Sequence, residues 1–186
     1  MRDPKRVAIF ISGRGSNMRS LIEQANGYSV VLVASNKPHA EGLIWARDRG
    51  VQTWALESKG IGKEEYDRLL SSELDHHQVG TIALAGFMRI LSPWFVDQWR
   101  GRILNIHPSL LPKYRGLDTH ARAIEAGDLV GGCSVHIVTE ELDAGQVLGQ
   151  AEVRIDPKDT AASLEQRVLA AEHRLYPKVL SEFVSR

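Results

Sequence analysis

The feature that most limits how this chain can fold is a recurrence of short, unbroken apolar runs, each followed by a turn and then by apolar residues at helical spacing. Val7 to Ile11, Val30 to Ala34, Thr81 to Ala85 and Ile103 to His107 are such runs. A strand with one wet face alternates apolar and polar residues, whereas a continuous run belongs to a strand buried on both sides, as in a parallel sheet covered by helices. Met18, Leu21 and Ile22 follow the first run, and Leu43, Ile44 and Ala46 follow the second, ending at Gly50. Val51 to Leu56 reads as a further strand, and Tyr66, Leu69, Leu70 and Leu74 form one stripe along a helix over 63–77. Ser92-Pro93 opens a short helix, and Thr119 to Ala126 makes another that stops at Gly127. Residues 132–138 and 146–153 flank the turn 139–145 as a hairpin-like pair. Thr160 caps a last helix through Leu164, Val168, Leu169 and Leu175, where Pro177 is expected to bend or restart it. The pattern predicts an α/β fold: a doubly wound, mostly parallel, Rossmann-like sheet with helices on both faces.

At 186 residues, with no repeat or Gly/Ser linker, residues 1–186 read as one domain. Lys+Arg and Asp+Glu each total 23, so no overall field draws the chain to nucleic acid or to an anionic membrane. Cys133 is the one cysteine, which precludes an internal disulfide and fits a reducing, cytoplasmic setting. No apolar run reaches the ~18 residues of a membrane span, and the opening MRDPKRVAIFIS does not read as a signal peptide. Trp45, Trp54, Trp94 and Trp99 are scattered singly, a packing pattern rather than a stacking platform for bases. Nothing in the sequence fixes an oligomeric state.

Chemistry concentrates in ILNIHPSLLPKYRG, residues 103–116. Side chains two apart on a strand share a face, so Asn105 and His107 point the same way, and Pro108 ends the strand there. That places an amide and an imidazole together at a strand's carboxyl end, where open parallel sheets bind their ligands. After the first strand, Gly13-Arg14-Gly15-Ser16-Asn17 opens a helix whose unpaired backbone donors suit an anion, with Ser16 as the expected N-cap. A dinucleotide fingerprint needs a third glycine and an acid closing the second strand. Met18 and Asn36 stand there instead, so a small phosphorylated ligand fits better. Each feature alone also has an ordinary reading: a capped turn, a strand-end histidine satisfied by backbone, an aspartate (Asp143) that merely tolerates its turn. His136 alternates with Val135 and Ile137 and faces either the same crevice or solvent, while His39, His76 and His77 read as solvated. No Gly-x-Ser-x-Gly elbow supports a serine nucleophile, and the histidines lack metal-ligand spacing.

Taken together, SGRGSN (12–17), LAGFMRILSP (84–93), ILNIHPSLLPKYRG (103–116) and TEELDAGQV (139–147) resemble the phosphoribosylglycinamide formyltransferases, a branch of the folate-dependent formyltransferases. The resemblance runs from about Val7 to Phe183. It implies transfer of a formyl group from 10-formyltetrahydrofolate, as co-substrate and without a metal, to the amine of glycinamide ribonucleotide in purine synthesis. By the same resemblance Asn105, His107 and Asp143 are catalytic, and the ribonucleotide lies on Gly15, Ser16, Asn17 and Glu172. The folate is expected against Met88, Arg89, Ile90 and Leu91 and against Thr139, Glu140, Glu141, Leu142 and Asp143, with Asn105 beside it and Lys63 or Arg89 available to its acidic tail. An Asn amide and a His⁺ would donate to the oxyanion of the tetrahedral intermediate, and a carboxylate beside the ring would stabilise the imidazolium and order a proton-shuttling water.

The sequence departs from the usual pattern at Arg115 and Asp118, where the family commonly has Pro and His. It departs again at Ala144-Gly145-Gln146, where Gly-Gly-Pro is usual. Arg115 resembles the arginine of the methionyl-tRNA and sugar-nucleotide branches, which leaves two alternatives within the class: a formyltetrahydrofolate hydrolase and a sugar-nucleotide N-formyltransferase. A phosphate-sensing binding module on the same scaffold is the alternative outside it.

Overall fold

The computed structural model describes residues 2–186. In chain order it contains β1 (Arg6–Ile11), α1 (Ser16–Glu23), β2 (Ser29–Ser35), α2 (Glu41–Arg47), β3 (Thr53–Ala55), α3 (Lys63–His76) and β4 (Thr81–Leu84). There follow α4 (Pro93–Gln98), β5 (Ile103–His107), α5 (Thr119–Glu125), β6 (Val130–Ile137), β7 (Val147–Arg154) and α6 (Ala161–Val184). The strands form one seven-stranded sheet in the order β3-β2-β1-β4-β5-β6-β7. The first five are parallel, and β6 and β7 add antiparallel at one edge.

Alternate residues of the central strands go to opposite faces, and both faces are covered. Val7, Ile9 and Ile11 join Met18, Leu21, Leu43, Val168 and Leu180 in one core under α1, α2 and α6. Ala8 and Phe10 join Tyr66, Leu70, Leu74 and Phe95 in a second core under α3 and α4. This is why the β1 sequence shows no alternation: neither side of that strand meets water.

Between β3 and β4 the chain reverses its direction of growth across the sheet. The carboxyl ends of β1 and β4 therefore flank a topological switch point, the usual crevice of open α/β sheets. Residues 12–17, 85–92 and 108–118 all leave the sheet on that edge, because β1, β4 and β5 are parallel.

Four local expectations are corrected. Ser16 is not the cap of α1: Gly15 holds that position with φ 71°, and no side chain caps the helix. A side chain at Gly15 would be strained by that left-handed backbone, so the second glycine of the turn is required by geometry. Leu69 is not part of the buried stripe of α3 and stands 48% exposed. β3 is shorter than expected, confined to Thr53–Ala55, and pairs only with the end of β2. Finally, α6 does not restart at Pro177, which lies buried inside a continuous helix. The proline leaves the carbonyl four residues back, that of His173, without its helical donor, and Gln24 Nε2 supplies one at 3.0 Å.

Candidate active site

The antiparallel register of β5 and β6 sets the centre of the site. It pairs Asn105 with His136 and His107 with Ser134, so the β6 residues fall directly beside the two β5 side chains. Asn105 Nδ2 lies 3.2 Å from His136 Nε2, while His136 Nδ1 lies 3.0 Å from the Ile137 carbonyl oxygen. A nitrogen against a carbonyl must carry the hydrogen, so His136 donates through Nδ1, and in the neutral ring Nε2 accepts the Asn105 amide. His107, also buried, donates from Nε2 to the Tyr114 carbonyl oxygen at 3.0 Å.

Asp143 comes from the segment between β6 and β7 and closes the cluster. One carboxylate oxygen, Oδ2, is 3.4 Å from His107 Nδ1 and accepts the Gly116 backbone N–H at 3.0 Å. The other, Oδ1, is 3.5 Å from His136 Nε2. Burial works against its charge, but a hydrogen bond from Nε2 of the His136 ring in its protonated form, the Gly116 amide and the nearby His107 outweigh it and hold the carboxyl below its ordinary value. The segment is shaped by Asp143 itself, at φ 49°, and by Gly145, where a Cβ would sit 1.8 Å from the Ile137 carbonyl oxygen.

The loop after His107 is fastened to β6. Ser134 donates to the Ser109 carbonyl at 2.6 Å and accepts the Leu111 N–H at 3.0 Å, and Gln150 Nε2 donates to the Leu111 carbonyl at 3.0 Å. Arg115 pairs with Glu141 at 2.7 Å, and Arg122 donates to the Arg115 carbonyl at 2.7 Å, joining the 108–118 loop to the turn that carries Asp143. Asp118 is the N-cap residue of α5 at φ 57°, with no side-chain cap bond.

At the β1 end, Gly15, Ser16 and Asn17 form the start of α1. Asn17 Nδ2 donates at 2.7 Å to Glu172 of α6, and both side chains are buried. Asn17 Oδ1 is buried with no hydrogen-bond partner among the described residues. Desolvation pushes the Glu172 carboxyl up to about 7, against the opposing effect of the Asn17 bond.

The loop after β4 presents Met88 and Ile90 to solvent, at 74% and 70% exposed, while Leu91 is buried. Leu142, across the cluster, is 60% exposed. Thr139, Glu140 and Glu141 are exposed beside it, with Thr139 Oγ1 donating to the Glu141 carbonyl at 3.1 Å. Arg89 lies over the Tyr66 ring at 4.5 Å and reaches the Lys63 carbonyl at 3.4 Å, which puts both cations at the head of α3.

A match to the family model described as formyl transferase covers residues 5–180. This chain belongs to that family. It is 46% identical over 182 residues to a phosphoribosylglycinamide formyltransferase of Escherichia coli K12, covering 95% of this chain and 86% of that protein. It is 47% identical over 188 residues to the trifunctional purine biosynthetic protein adenosine-3 of Drosophila melanogaster, of which it spans only 14%. The crystal structure of a phosphoribosylglycinamide formyltransferase from Brucella melitensis superposes with a TM-score of 0.93 at 47% identity, covering 98% of this chain and 96% of that one. The seven-stranded, mostly parallel sheet is thus the formyltransferase fold.

Within this family frame the structure brings Asn105, His107 and Asp143 together, and separately Asn17 and Glu172. His136 is a fourth member of the central cluster. Its alternation with Val135 fixes a face but not what that face meets, so the sequence alone does not distinguish crevice from solvent. Ser12 and Asn36 also enter the picture, as buried polar residues that close β1 and β2.

Proposed function

We propose that this chain transfers the formyl group of 10-formyltetrahydrofolate to the amine of glycinamide ribonucleotide, with residues 1–186 acting as a single formyltransferase domain. The observation that carries the reading is that an amide, two imidazoles and a buried carboxylate, drawn from β5, β6 and the segment after β6, are linked Asn105–His136–Asp143–His107 by successive contacts of 3.2, 3.5 and 3.4 Å. Membership of the formyl transferase family and the names of the relatives support the same substrates.

The chemistry follows from the atoms available. The substrate amine attacks the formyl carbon, the carbonyl oxygen takes up negative charge, and the C–N bond to the folate then breaks as a proton reaches the departing nitrogen. Asn105 has two amide hydrogens and gives one to the neutral His136 ring, which leaves the other for the developing oxyanion. His107 is differently placed. Its Nε2–H is engaged by Tyr114, so it donates to substrate only after leaving that carbonyl, with Nδ1 still beside Asp143. Asp143, its carboxyl held below its ordinary value, keeps a negative charge beside His107 Nδ1 while a proton passes from the attacking amine to the folate nitrogen.

The ribonucleotide phosphate fits the backbone donors of the turn at Gly15, Ser16 and Asn17, and Glu172 accepts from the ribose or glycinamide part. The folate ring fits the apolar rim of Met88, Ile90 and Leu142, backed by the buried Leu91, and the turn Thr139, Glu140, Glu141 and Asp143, with Lys63 or Arg89 available to its acidic tail. Among the described residues no helix is long and apolar enough to cross a membrane. The buried free thiol of Cys133 fits a reducing cytoplasm.

The test is an acceptor comparison. Purified protein with formylfolate should turn over with glycinamide ribonucleotide and stand idle with water or a sugar-nucleotide amine, and EDTA should leave the rate unchanged. Consumption of formylfolate without any amine would make the chain a hydrolase, and transfer to the sugar amine alone would reassign the acceptor.

A further inference from the structure

Between the ribonucleotide turn and the folate loop lies a buried polar contact that the mechanism above does not use. Ser12 is the residue between β1 and the Gly13–Asn17 turn, and it is 6% exposed. Its backbone N–H donates to the Gly86 carbonyl at 3.1 Å. Its hydroxyl accepts the Met88 backbone N–H at 2.8 Å and lies 2.6 Å from Asn36 Oδ1. Because an amide N–H can only donate, the Ser12 oxygen must accept at Met88, and its single hydrogen is left for Asn36. Asn36, 8% exposed at the end of β2, thereby sets the direction of the hydroxyl.

The far end of the same loop is fixed separately. The Ser92 N–H donates to the fully buried Asp67 carboxylate at 2.6 Å, and Ser92 Oγ caps α4. Met88 and Ile90, the most exposed apolar side chains of the loop, therefore stand on a main chain held from β1, β2 and α3. The Ser12–Met88 bond crosses the β1/β4 switch point itself.

We infer that Ser12, its hydroxyl oriented by Asn36, is a positioning residue that sets the folate loop 86–92 against the ribonucleotide turn. The inference rests on the formyl-transfer reading. Loss of the bond frees the Met88 amide and lets the apolar rim drift, which weakens the folate and spares the ribonucleotide, whose turn keeps its own backbone.

Ser12→Ala and Asn36→Ala are compared with the parent chain by steady-state kinetics in both substrates and by calorimetric titration with 5,8-dideazafolate. Both variants should raise the formylfolate KM and the dideazafolate dissociation constant about fivefold to tenfold, the effect of one buried hydrogen bond. The ribonucleotide KM should stay within about twofold of the parent. A merely structural role would lower thermal stability and leave this split absent. Unchanged folate binding in both variants, or an equal rise in both KM values, would overturn the inference. No turnover by the parent would refute the assigned function instead, and the dideazafolate titration would still decide the clamp. If Ser12→Ala fails to fold, Asn36→Ala decides by the same criteria.

Discussion

Single side chains in this site divide between charge and geometry. Asp143 contacts both histidines and a backbone amide, so Asp143→Asn keeps the shape and one acceptor while removing the negative charge. Its turnover should fall by about a hundredfold or more with both KM values little changed, measured under saturating substrates. Near-parental turnover would remove the charge from the mechanism. Glu172 makes a prediction in pH. Its folded carboxyl sits near 7 against an ordinary value of 4.5, so the native state binds the proton more tightly than the unfolded chain. The stability this gives is complete below about 4.5 and is lost as pH rises through about 7, a change on the order of 3 kcal/mol. Glu172→Gln keeps an acceptor for Asn17 and cannot ionise. Its urea-unfolding free energy should therefore stay flat over that window where the parent's declines, and parallel profiles would place the buried charge elsewhere.

Elements explain why these residues meet. β5 supplies Asn105 and His107 on one face, and the register of β6, not its composition, brings in His136. The segment between β6 and β7 then folds closely against β6 so that Asp143 reaches both rings, and its tightest point is Gly145 against the Ile137 carbonyl. Gly145→Ala has no flexible side chain to displace, only backbone, so the segment must shift. Such a shift of about an ångström at the reacting groups is worth about a hundredfold in rate. The expected outcome is a folded protein, by circular dichroism, with kcat reduced at least that far; full activity would show that the segment has slack the structure does not display.

At the scale of the whole molecule, two cores share one sheet, since successive residues of β1 and β4 feed opposite faces. Neither core can empty without exposing strands that the other covers. Leu70→Ala on α3 and Leu180→Ala on α6, both fully buried, should each cost about 2–5 kcal/mol and lower the midpoint of a single urea transition without changing its slope. Two separate transitions would mean that the faces unfold independently and that the chain is not one cooperative domain.

The sequence by itself determined the order of strands and helices, the mostly parallel sheet and the edge on which chemistry gathers, because those follow from local signals: unbroken apolar runs, helical spacing, and Pro108 ending β5. Asn105 and His107 were legible for the same reason, being two residues apart on one strand. Asp143 and Glu172 entered the candidate site only through resemblance, since nothing near them in the chain sets them apart from an ordinary turn or helix residue. Tertiary structure alone decided that His136 joins the cluster, that His107 is engaged by Tyr114, that α6 runs through Pro177 with help from Gln24, and that the Ser12 hydroxyl accepts the Met88 amide across the sheet edge. Each of these joins residues across the sheet or between elements, and such contacts are set by register and packing, which no local pattern of residues encodes.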